Sequence, residues 1–147
     1  MFEEAGFYGV EILNYHNNPW QVIDGIEFRS LTVRAYKGKE EPCLERKQAV
    51  IYKGPWRKVV DDDGHTFHRG QRMAVCDKTF NIMTHPEGPY GDQIIPILPQ
   101  EDIPLDSALL FDCRRHTQRH PHEMKGLEYR ETRRDSAALC DCGPGGC

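Results

Sequence analysis

Three of the six cysteines in this 147-residue chain fall in its closing stretch, CDCGPGGC, at positions 140, 142 and 147. A thiolate is a polarizable donor that suits soft metals and metalloids better than hard cations. Gly143, Gly145 and Gly146 permit the tight curvature that would wrap Cys140, Cys142 and Cys147 about one such ion. The spacing is not a standard zinc pattern, and the competing reading is an unstructured end whose thiols hold nothing. Cys113, His116, His120 and His122 are reserve donors for a fourth position. Further upstream, Cys76 precedes a predicted helix start, where backbone N–H groups and the helix dipole favour thiolate. Lys78 adds positive charge and Asp77 partly cancels it; the plain alternative is a small buried residue closing RMAV. Cys43, within EEPCLERK, is surrounded by charge and expected to be partly exposed. The candidate metal ligands are therefore Cys43, Cys76, Cys140, Cys142 and Cys147, with no catalytic or cofactor-binding residue among them.

Other polar clusters read as structure. HTQRHPH has the look of a histidine-rich metal tract, but Pro121 and the interleaved arginines fit a solvated segment. His65 and His68 fall on opposite faces if Thr66 and Phe67 continue one strand. The DDDGH run lacks the spaced oxygen donors and downstream glutamate of a calcium loop, and is read as an acidic turn.

The composition bounds the class. Hydrophobic residues make up 38% of the chain and the net charge is -4, with a pI near 6.0 and a mean hydropathy of -0.68. Nucleic acid is not an expected partner, because no basic excess is present. No apolar run is long enough to cross a bilayer, and MFEEAGFYGV is acidic where a signal peptide would be basic. The expected location is cytoplasmic, where cysteines serve more often as ligands or reactive thiols than as disulfides.

The elements that must position these thiols follow from periodicity. MFEEAGF reads as a helix end stopped by Gly6, YGVEIL as a strand, NYHNNPW as a loop, and GIEFRSLTVRAYK as a long strand with a bulge near Ser30. KGKEEPCLERK marks a boundary. Beyond it come a strand in QAVIYKG, a hairpin turning at Asp63-Gly64, a strand in QRMAVC, and a short helix in DKTFNIMT capped by Asp77, with Phe80 and Met83 on one face. QIIPIL is an edge strand marked by Pro96. From about Pro99 the chain turns proline-rich and then almost wholly polar, which predicts an extended tail.

That order of phrases resembles a known enzyme family. EEAGF, a strand, a loop and GIEFRSLTVRAYK look like the closing unit of a class I S-adenosylmethionine-dependent methyltransferase. PCLERKQAVIYKG…VVDDDGHTFHRGQRMAVCDKT is similar to the C-terminal extension of arsenite methyltransferases and their type-11 methyltransferase relatives. The resemblance implies a substrate-side domain whose thiolates hold a soft, three-coordinate substrate such as arsenite. Nothing here resembles the glycine-rich strand-turn-helix that binds S-adenosylmethionine, so that cofactor is expected on a separate domain, in cis or in trans.

The expected fold is α+β: mainly antiparallel β-sheet with one or two short helices and an extended C-terminal tail. Residues 1–40 are read as the closing helix end and β-hairpin of a methyltransferase-like sheet, 41–100 as a small α+β domain, and 101–147 as a Cys/His-containing tail. The expected function is that of an accessory domain contributing thiolates to a soft metalloid, with a non-catalytic metal-binding or interaction module as the alternative. Arsenite and zinc are the expected ions. The hairpin leaves an open edge and an uncovered apolar face, which predicts pairing with the missing cofactor domain or a homo-oligomer.

Overall fold

A computed structural model describes residues 1–38, 40–114, 117–126 and 129. Its architecture is α+β, and every strand pair among the described residues is antiparallel. The expected N-terminal helix end is a single 3-10 turn, Glu3–Ala5, closed by Gly6 at φ 77°. Strand β1 (Tyr8–Tyr15) is followed by β2 (Gln21–Ile23), β3 (Ile26–Phe28) and β4 (Leu31–Tyr36). The break between β3 and β4 falls at Arg29–Ser30, where a phase slip was expected. Asn14 and Tyr15, expected in the NYHNNPW loop, close β1 instead, and β2 is a strand the sequence pattern does not announce: its three residues pair with β3 across Asp24 (φ 50°) and Gly25 (φ 79°), and two positive φ values in succession make the tight turn that suits a hairpin's twist.

The β1–β4 ribbon is anchored at one end. Tyr8 and Tyr36 stack at 5.7 Å, Gly9 N–H donates to Asp62 Oδ2 at 3.1 Å, and the Tyr36 hydroxyl donates to the Glu87 carbonyl at 2.9 Å. Away from that anchor the ribbon buries little. Ile12 is 67% exposed and Leu13 54%, although neighbours on a strand point to opposite faces. Trp20, Val22, Ile23, Ile26, Phe28 and Leu31 are also exposed.

The core lies in the next segment. After β5 (Leu44–Glu45) come β6 (Ala49–Tyr52), β7 (Lys58–Val60), β8 (Thr66–His68) and β9 (Arg72–Ala74), then α1 (Asp77–Thr84) and β10 (Ile94–Ile97). A three-stranded sheet in the order β10-β6-β9 sets Val50 opposite both Pro96 and Met73. Pro96 thus lies on an edge strand, the place where a missing N–H costs no ladder bond. β7 and β8 pair as the expected hairpin, with Gly64 at φ 83° in its turn. Phe80 and Met83, one turn apart on α1, join Val50, Tyr52, Phe67, Met73, Val75 and Ile94 in one buried cluster.

The stretch from Glu101, expected to run free as a tail, folds back as far as Gly126. β11 (Leu109–Leu110) pairs with β5, and residues 117–119 extend the β9 edge through Ala74 N–H to the Thr117 carbonyl and Arg119 N–H to the Arg72 carbonyl. Helix α2 (Pro121–Lys125) buries Met124. Polarity misled here because charges supply the attachment. Buried Arg119 grips Glu45 through two contacts of 2.7 and 2.9 Å. Arg46 joins buried Asp77 at 2.7 Å to Asp102 at 2.6 Å and donates to the Ile103 carbonyl.

Candidate metal centre

Three chain segments deliver one thiol each to the same place. Cys43 stands immediately before β5, and its carbonyl accepts the Phe111 N–H at 2.9 Å. That bond and the β5–β11 pairing bring Cys113, two residues further along, beside Cys43. Cys76 follows β9 at the start of α1. The Sγ atoms of Cys43, Cys76 and Cys113 all lie within 4.8 Å of one another, and none of the three is in a disulfide. A tetrahedral zinc with Zn–S bonds of about 2.3 Å needs sulfurs about 3.8 Å apart, so a small contraction would suffice.

Cys76, and not the expected Asp77, is the N-cap of α1. Its Sγ accepts the Thr79 N–H at 3.4 Å and lies 3.2 Å from the Thr79 hydroxyl. Asp77 is the first helical residue, where its carboxylate meets Arg46 and, at 3.0 Å, the Asn81 side-chain amide. Cys76 is fully buried, whereas Cys43 and Cys113 are half-buried. Both half-buried thiols line an open cleft of about 340 Å³ with Asp63, His65, Lys78 and Arg114.

The thiols divide their protons unequally. Burial alone would push Cys43 up, but hydrogen bonds with Cys113 and Cys76, and the charge and hydrogen bond of Lys78, bring it below the ordinary cysteine value. Cys113 moves the other way: burial, its hydrogen bond to Cys43 and the charge of Cys76 all hold its proton. Of these two thiols, Cys43 therefore gives up its proton the more readily. Binding an ion displaces such protons and supplies the positive charge that the sulfurs lack.

Two of the expected ligands, Cys43 and Cys76, meet as ligands of one site. Cys113, read only as a reserve donor for the tail, is the third. Cys140, Cys142, Cys147 and His116 lie outside the described residues. His120 and His122 sit side by side, with ring centroids 4.3 Å apart, and His120 caps α2 in a reciprocal arrangement with Glu123. Asp61, Asp63 and His65 also cluster, but Asp61 serves the turn itself: Oδ1 accepts the Asp63 and His65 N–H groups at 3.0 and 2.8 Å, and Oδ2 holds His65 Nδ1 at 2.7 Å.

Fold and site together define a small α+β module with a three-thiol centre open to solvent on one side. The chain belongs to the family described as Domain of unknown function (DUF8838), whose profile matches residues 39–129. That span holds all three thiols and leaves out the β1–β4 ribbon. No curated protein and no solved structure matches the chain. No helix among the described residues is long and apolar enough to cross a membrane.

Proposed function

We propose that this chain is the substrate-side accessory unit of an S-adenosylmethionine-dependent methyltransferase of the arsenite methyltransferase-like type, and that its three thiolates hold a thiophilic ion. The meeting of Cys43, Cys76 and Cys113 within 4.8 Å carries the reading. A buried filler would explain Cys76 alone. It does not explain two half-buried thiols facing an open cleft beside a lysine. Arsenite and zinc are two ions whose donor preference fits three sulfurs.

The exposed ribbon supports the accessory role. A strand that is apolar on both faces suits a sheet covered on both sides, and β1 offers Ile12 and Leu13 in succession with neither face covered. The partner is a domain carrying the S-adenosylmethionine site, in cis or in trans, and a homo-oligomer would cover the same apolar surface. A second reading, a non-catalytic metal-binding module, draws on the family match, which contains the whole centre but omits the ribbon.

The test is calorimetry on the reduced full chain carrying Cys140→Ser, Cys142→Ser and Cys147→Ser, which removes competing thiols. One equivalent of zinc or arsenite should bind, and serine at 43, 76 or 113 should abolish the heat. S-adenosylmethionine should give none. Silence toward both ions refutes the thiolate reading, and tight S-adenosylmethionine binding by this chain alone refutes the accessory role.

A further inference from the structure

His65 shares the walls of the thiol centre from two sides. It lines the open cleft with Cys43 and Cys113, and it lines a second, much smaller space with Cys76 and Cys113. No other histidine lines either space among the described residues. Resting on the three-thiolate reading above, we propose that His65 is the fourth ligand, so that the resident ion is a four-coordinate divalent metal, zinc first by donor chemistry, in a Cys3His set.

The imidazole is prepared for that role. A carboxylate only accepts, so in the neutral ring the 2.7 Å contact with Asp61 Oδ2 places the proton on Nδ1 and makes Nε2 the donor atom toward a metal. Metal-bound histidines characteristically give their other N–H to a carboxylate, which fixes the tautomer and raises the ring's basicity. Asp61 is itself held by two backbone N–H groups, and the pair is largely enclosed, at 16% and 10% side-chain exposure. Phe67 meets the ring edge-on at 6.3 Å. His65 stands at the wall of the cleft and outside the 4.8 Å sulfur cluster, so ligation draws the hairpin turn inward. Three thiolates, one neutral imidazole and a divalent ion sum to a single negative charge, and Lys78 is close enough to Cys43 to act on it. Arsenite, which takes three sulfurs and no nitrogen, has no use for His65.

The experiment uses Co²⁺ as a spectroscopic stand-in for zinc in the full chain with serine at 140, 142 and 147. The parent should show the d–d bands of a tetrahedral site. His65→Ala should lose those bands and bind zinc at least 10-fold more weakly, while arsenite affinity stays unchanged. Asp61→Asn should weaken zinc about 10-fold by releasing the ring. His65→Cys should restore the tetrahedral bands and raise the sulfur-to-cobalt charge-transfer intensity by about a third, as a fourth sulfur requires; this keeps the test sound if the alanine variant folds poorly. Parent-like bands and zinc affinity in His65→Ala overturn the assignment of His65 and leave the thiolate reading intact. A parent that binds neither metal overturns the thiolate reading instead.

Discussion

Cys76 carries two duties that a pair of substitutions can separate. As the N-cap of α1 its sulfur accepts the Thr79 N–H, and as a thiol it faces Cys43 and Cys113. Serine keeps a good cap, with the Thr79 N–H and hydroxyl as partners for its oxygen, and discards the thiolate. Alanine discards both. Loss of an N-cap costs about 1 kcal/mol, and in a folded unit the size of residues 39–129 about 1 kcal/mol moves the melting midpoint by roughly 4–8 °C. In the presence of a chelator, then, Cys76→Ser should melt close to the parent, while Cys76→Ala melts at least several degrees lower. Zinc at 100 times its dissociation constant stabilises by about 2.7 kcal/mol, which raises the parent by about 10–20 °C. Neither variant should show that rise. Thermal scans of the three proteins with zinc and with chelator read these shifts. A zinc-induced rise in Cys76→Ser as large as the parent's would remove Cys76 from the centre, and equal melting of the two variants in chelator would remove it from the cap.

Two further outcomes follow from the ribbon's anchor and the core beside it. A Cβ on Gly9 would stand 2.4 Å from Pro89 Cγ, at a φ of +59° that L-residues avoid. Gly9→Ala should therefore release the ribbon, seen as faster proteolytic cutting within residues 10–35 with the core's melting unchanged; unaltered cutting would show that the anchor lies elsewhere. Burial, then the charges of Asp62, Asp61 and Asp63, and then Tyr8, hold the proton of Tyr90 above its ordinary value of 10.0. The folded state keeps a proton that the unfolded chain gives up above that pH, so the contribution is whole below pH 10 and is lost as the pH climbs. Tyr90→Phe should lose less stability than the parent in urea titrations between about pH 8 and about pH 10.5, and parallel losses would rule Tyr90 out.

Local chemistry was legible wherever a short phrase fixed its own conformation. Asp63-Gly64 announced its hairpin, Pro96 its edge, and the spacing of Phe80 and Met83 the buried face of α1. The site was legible only in part. Cys43 and Cys76 drew notice through their neighbours, but Cys113 joins them through β5–β11, a ladder of two residues per strand too short to produce an alternating pattern. The fold-back after Glu101 was hidden for a different reason. Composition weighs the stretch as polar, yet Arg119 with Glu45 and Arg46 with Asp77 and Asp102 attach it through pairs that only three-dimensional proximity reveals.

The three thiols come from positions 70 residues apart at their extremes, Cys43 and Cys113. An ion seated among them would work as a reversible rivet. A covalent link across such a span would restrict the unfolded chain by about 4 kcal/mol, far beyond what the small β5–β11 ladder offers with Leu109 and Leu110 both facing water. Without an ion the returning segment would be held by its arginine clasps, the backbone bonds of 117–119 to β9 and buried Met124, so occupancy would decide how firmly that segment stays shut.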